Sequence, residues 1–182
     1  MVLLLVSCGM QNTPIFPARL LISAFCLLGL AACDPKYNWR EIPGKDAPFT
    51  VLLPAKPATL SRPVDLAGHT YTMSMTAAEV DHVSFAVASV LCADAKQAHE
   101  ALNAMQAAMV NNINGKVKSL PSAGDAIDIE ASGSAQPGSE PLLLVGHFVV
   151  SGNRAWQVIV LGPEKEVARE QVTTFISSFK PG

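Results

Sequence analysis

Two periods run through the sequence. In residues 69–77, HTYTMSMTA, Tyr71, Met73, Met75 and Ala77 share one side and Thr70, Thr72, Ser74 and Thr76 the other. That two-residue alternation predicts a half-buried strand. Residues 82–91, HVSFAVASVL, place Val83, Phe85, Val87 and Leu91 on one side. With a turn near residues 79–81, the two runs predict an antiparallel hairpin. The period then lengthens. Ala98, Leu102, Met105, Met109 and Ile113 recur at three-to-four spacing, the stripe of an amphipathic helix. Asp94 is placed to cap it, with Gln97 three residues later, and Asn114-Gly115 is placed to end it.

Beyond this helix, residues 126–132 alternate, with Ile127, Ile129 and Ala131 on the apolar side and Asp128 and Glu130 on the polar one. Residues 132–141, SGSAQPGSEP, read as a loop. Residues 142–150, LLLVGHFVV, and 155–162, AWQVIVLG, are apolar on both sides and are joined by SGNR, a tight hairpin turn. Strands of that kind belong in the middle of a sheet covered on each face. A second helix is expected over 163–180, with Pro163 in its first turn and Val167, Ala168, Val172, Phe175, Ile176 and Phe179 on one face. Residues 49–54, FTVLLP, predict a short strand, and the proline-dotted 54–63 a loop. The order is β-β-β-α-β-β-β-α, with room for another strand near 116–120. This predicts an α+β fold: an antiparallel sheet of six or seven strands with helices on both faces, an α/β/α sandwich.

The N-terminal pattern differs. An apolar run of thirteen residues, Leu20 to Ala32, follows Arg19 and stops at Cys33-Asp34-Pro35. It is shorter than the roughly 20 residues a membrane-spanning helix needs and fits the apolar region of a secretory signal. Leu30-Ala31-Ala32-Cys33 resembles the lipobox of bacterial lipoproteins. The resemblance implies diacylglyceryl transfer to the Cys33 sulfur and signal peptidase II cleavage between Ala32 and Cys33. In many bacteria the new amine is then acylated. A thioether link needs a thiolate nucleophile, and two or more acyl chains hold a protein stably to a bilayer where one is marginal. Leu5-Val6-Ser7-Cys8 mimics the motif but has no charged region before it, and Met10 is the expected start. In enteric bacteria an aspartate after the lipidated cysteine goes with inner-membrane retention, so Asp34 favours the periplasmic face of that membrane.

The expected organisation is therefore a signal at 1–32, a lipidated cysteine and tether at 33–47 with Trp39 partly docked, and one domain at 48–182. The whole chain is 49% hydrophobic and 15% charged with a net charge of −2, a composition suited to a packed globule. Without residues 1–32 it loses one charge, Arg19, and stays mildly acidic. No basic cluster is present, which argues against nucleic acid as a partner.

Residues 49–57 (FTVLLPAKP), the TYTMS strand, residues 152–163 (GNRAWQVIVLGP) and the final TTFISSF together resemble small bacterial envelope proteins of the PsbP-like fold. The resemblance spans roughly residues 49–180 and implies an antiparallel sheet between helices. Its members bind different partners, so it implies no particular function.

Candidate chemistry is sparse. His69, His82, His99 and His147 form no pair at metal-ligand spacing on one element, and His147, in an apolar run, is expected to be a hydrogen-bonded core histidine. Cys92 is expected to be a buried thiol, with Asp94 opposing thiolate formation. Asp125, Asp128 and Glu130 read as a solvated strand face. The Met73/Met75 and Met105/Met109 pairs could be soft-metal thioethers, but at these spacings core packing is expected. No nucleophile elbow, phosphate loop or dinucleotide glycine pattern is present, and no cofactor is expected. Arg154 and Trp156 either stack at the sheet end or, with Trp39, line a partner surface, because tryptophan and arginine are enriched in binding hot spots. The expected function is a non-catalytic binding or assembly module, anchored to the bilayer through Cys33 and docked on an envelope protein. The alternative is an envelope enzyme or metal-handling protein with a site assembled across separate elements.

Overall fold

Strand β5 (Val83–Leu91) shows why this sheet needs cover on both sides. Val83, Phe85 and Val87 are buried in one cluster and Ala86 and Val90 in another, so successive side chains enter different cores. The computed structural model describes residues 36–182. Before β5 come β1 (Arg40–Pro43), β2 (Phe49–Leu53), β3 (Ala58–Leu66) and β4 (His69–Val80); after it come helix α1 (Ala95–Asn112), β6 (Lys116–Leu120), β7 (Ile127–Gly133), β8 (Leu142–Ser151), β9 (Arg154–Pro163), helix α2 (Arg169–Ser178) and β10 (Lys180–Pro181). The main sheet has seven antiparallel strands in the order β3-β4-β5-β9-β8-β7-β6. The described residues thus form an α+β fold with a seven-stranded antiparallel sheet and two helices.

The expectation of central, two-sided strands agrees with β8 and β9. Trp156, Val158 and Val160 of β9 join Leu143 and Val145 of β8 in one core, and Ala155 and Ile159 join Leu144 and Phe148 in the other. Helix α1 covers the second face with Ala98, Leu102 and Met105, and α2 covers the first with Val172 and Phe175. The α1 cap forms as expected: the Gln97 amide donates to the Asp94 carboxylate at 2.8 Å, satisfying one of the helix's unpaired first-turn donors.

Four local expectations are corrected. β2 is not in the main sheet but forms a second sheet, β1-β2-β10, over its first face. The segment expected to be a tether carries β1, paired from Arg40↔Leu53 to Pro43↔Thr50, and its Tyr37 and Trp39 rest on Phe85. The expected loop at 54–63 runs into β3, an edge strand exposed at most positions. Its register comes from β4, not from an apolar period, and an edge accommodates Pro63. Finally, Pro163 ends β9, opposite Leu142, so α2 starts only at Arg169. β6 fills the optional strand position as the opposite edge.

Glu130 of β7 clamps the start of α2. Both guanidinium nitrogens of Arg169 donate to its carboxylate, the second at 3.1 Å. The Arg169 hydrogen bond holds the Glu130 carboxyl below its ordinary range against the opposing effect of burial, with the charges of Arg169 and Lys118 adding to it. A carboxylate shifted this way stabilises the fold above its unfolded pKa and loses that contribution as pH falls through its folded value. Glu130→Gln is therefore expected to cost up to about 1 kcal/mol near neutrality, since Arg169 is largely solvated. Denaturation curves of the two proteins should converge below the carboxylate range.

Candidate ligand-binding groove

The sequence-predicted site residues do not converge. Trp156 is 1% exposed, with Phe49 at 5.6 Å and Phe179 at 5.5 Å between ring centroids. It cannot line a partner surface, because β1-β2-β10 and the chain after α2 cover its face of the sheet. Arg154 stacks over it at 5.6 Å and donates to the Ser89 hydroxyl at 3.2 Å, which is the sheet-end stacking arrangement. Trp39 is half-buried beside Phe85 at 5.9 Å, so it works chiefly as a clasp for the β1 segment. Ala32 and Cys33, the expected cleavage and lipidation positions, lie outside the described residues.

Cys92 is buried. Burial raises its thiol pKa, and although the Tyr71 hydroxyl opposes this, Asp94 adds to the rise, so the thiolate is scarce at neutral pH. His69 and His82 are exposed at hairpin turns and His99 on the outer face of α1. Among the described residues no three His, Cys, Asp or Glu side chains gather at metal-binding reach, and no helix is long and apolar enough to cross a membrane. His147 faces Asp128 across the β7–β8 ladder, with Nδ1 at 2.6 Å from the carboxylate. Asp128 is therefore not simply solvated. The pair borders a shallow depression of about 430 Å³ beside α2.

A better-formed recess lies on the opposite face. Helix α1 packs mainly over β8 and β9, leaving the β3–β4 side of the sheet only partly roofed. Between them runs a groove of about 310 Å³, at the small end of the range for small-molecule sites. Met73 and Met75 of β4 meet Met105 and Met109 of α1 there, so all four described methionines line one recess. Ala86 of β5 leaves the floor low, and Ile159 and Leu161 of β9 close the inner wall. Methionine walls are flexible and polarizable, and such surfaces adapt to varied apolar ligands.

One polar side chain faces this recess from deep in the sheet. Gln157 of β9 is 5% exposed, lines the groove, and finds no hydrogen-bond partner for its amide among the described residues. Among the described residues the fully enclosed side-chain polar atoms without a partner are Tyr71 Oη and Trp156 Nε1; the Gln157 amide is reached from the groove, where water or a ligand can pair it. The signal was visible in AWQVIVLG as the only hydrogen-bonding side chain besides the indole. Nothing in the strand itself shows where α1 stops covering the sheet, so the role of the position is not legible locally. At the outer end stands Arg62 of β3, exposed and in no ion pair among the described residues. Asp65, also at the mouth, is engaged by the Thr70 hydroxyl at 2.5 Å. The site can hold an apolar group, hydrogen-bond it at depth and meet a charge at the rim. No protein-family model matches this sequence, and neither a curated protein nor a solved structure matches it.

Proposed function

We propose that this chain is a lipid-anchored protein of the bacterial cell envelope, PsbP-like in fold and periplasm-facing, with the inner membrane favoured by Asp34. Its domain is a non-catalytic binding module, and the α1 groove is its ligand site. The observation that carries the binding reading is the Gln157 side chain, 5% exposed, reached from a recess whose lining is mainly apolar, with Ser84 and Asn112 as further polar side chains and Arg62 and Asp65 at its mouth. The lipobox Leu30-Ala31-Ala32-Cys33 supports the anchor. The sheet with one helix on each face supports the PsbP-like reading. Whether a protein partner docks as well turns on surfaces other than Trp156, which is buried.

The anchor is tested by Cys33→Ser. The wild type should take up radiolabelled palmitate and sediment with membranes, and the variant should lose the label entirely and accumulate uncleaved. Label and mobility unchanged from wild type would refute lipidation at Cys33. The alternative reading, an enzyme or metal-handling protein, is favoured by the Asp128–His147 pair. It would gain if His147→Ala abolished activity in cells while leaving ligand binding in the groove intact.

A further inference from the structure

The groove has two polar ends, and their separation says what fits. Cross-strand partners put Met73 beside Arg62 and Val90 beside Met73; one row along, Leu60, Met75, Ala88 and Gln157 follow one another across β3, β4, β5 and β9. Arg62 and Gln157 are thus three interstrand spacings apart across the sheet, at roughly 4.8 Å each, and two residues apart along it, about 16 Å on the diagonal. The side chains between them in these two rows, Met73, Val90, Met75 and Ala88, are apolar, while Ser84 of β5 also lines the groove. Leu60, 53% exposed on the edge strand, continues the apolar strip to the solvent beside Arg62.

Resting on the reading of this groove as the ligand site, we propose that it binds a single-chain, medium-length carboxylate amphiphile. The carboxylate pairs with the Arg62 guanidinium at the mouth. The chain lies across Met73 and Met75 beneath Met105 and Met109, and a hydroxyl near its far end bonds the Gln157 amide. Arginine matches a carboxylate with two parallel N–H donors. A plain hydrocarbon would leave Gln157 unpaired, whereas a terminal hydroxyl satisfies it. Diacyl lipids exceed the recess, since about 310 Å³ is too little for two long chains. An uncharged chain leaves Arg62 without its counter-ion.

The test uses the full chain, reconstituted in phosphatidylcholine nanodiscs, with a diazirine-bearing decanoic acid as photoprobe. Label should map to the peptides carrying Met73/Met75 and Met105/Met109. ω-Hydroxydecanoic acid should compete for it best, with decanoic acid weaker. Decanol should be weaker than decanoic acid by about ten-fold, the worth of one charge-assisted hydrogen bond. Arg62→Ala, at an exposed edge position that does not threaten the fold, should erase the preference for the acid over the alcohol. Gln157→Leu should erase the preference for the hydroxy acid over the plain one. Ala108→Trp, at an exposed helix position on the groove, should block labelling while circular dichroism stays that of the wild type. Equal competition by acid and alcohol, or an acid preference that survives Arg62→Ala, overturns the carboxylate assignment and leaves the groove reading standing. A hydroxy-acid preference that is absent, or that survives Gln157→Leu, overturns the hydroxyl assignment. Label that maps elsewhere, or that persists in a folded Ala108→Trp protein, overturns the groove as the ligand site and the inference with it.

Discussion

Trp156→Ala is expected to remove about 3–5 kcal/mol of unfolding free energy, as large aromatic truncations in well-packed cores do. That is a large share of the roughly 5–15 kcal/mol that holds a domain folded. The indole is 1% exposed and is the point where three separate parts of the chain meet: Phe49 of β2, Phe179 after α2, and Arg154 on its own strand. Truncation removes the partner against which the β1-β2-β10 sheet closes. Trp156→Phe should cost distinctly less. It keeps an aromatic ring for the edge contacts and discards an indole N–H that is buried without an acceptor, which already carries a desolvation penalty. Trp39→Ala should also cost less than Trp156→Ala, because Trp39 is only half-buried. Urea unfolding followed by circular dichroism ranks the three. If Trp156→Ala falls within about 1 kcal/mol of wild type, the covering sheet is not holding this core.

The same tryptophan marks where sequence patterning ran short. Period alone placed β8 and β9 centrally and gave α1 its stripe and its Asp94 cap, because these elements carry their burial in their own residues. β1 and β3 do not. They lie at sheet edges, mostly solvated, and take their register from β2 and β4, so their positions are legible only through their partners. The pairing of Phe49 and Phe179 over Trp156 joins positions more than a hundred residues apart, and nothing local distinguishes a tryptophan so covered from one on a free surface. The groove divides the same way. Each methionine pair was readable as a stripe on its own element, but their meeting depends on how far α1 extends across the sheet. Gln157 was the one local clue, a polar residue at a core-facing position in a two-sided apolar strand.

Gly133→Ala is expected to destabilise the fold at or above the usual 1–3 kcal/mol for overpacking, although a single methyl group is added. Residues 132–141 read as a loop, yet Gly133 ends β7 directly beneath the end of α1. A Cβ there would lie 2.1 Å from the Ile113 carbonyl oxygen, 2.8 Å from the Gly115 Cα and 3.0 Å from the Gly115 nitrogen. Every one of these is a backbone atom, so no rotamer change relieves the clash. The helix end must lift. It is poorly placed to do so, since Ile113 is 2% exposed and the Asn114 side-chain Nδ2 donates to the Ser134 carbonyl at 3.0 Å. Gly152→Ala separates this crowding from ordinary glycine effects. That residue sits in the β8–β9 turn at φ +61° with nothing within 4 Å of an added Cβ, so its cost is left-handed backbone strain alone, about 1–2 kcal/mol. Hydrogen exchange should locate the difference: Gly133→Ala speeds exchange in the last turn of α1, and Gly152→Ala leaves that turn protected. Equal costs for the two variants, with the α1 end undisturbed in both, would mean that helix and strand do not approach this closely. The apolar wall that α1 lends to the groove would then lose the anchor that positions it.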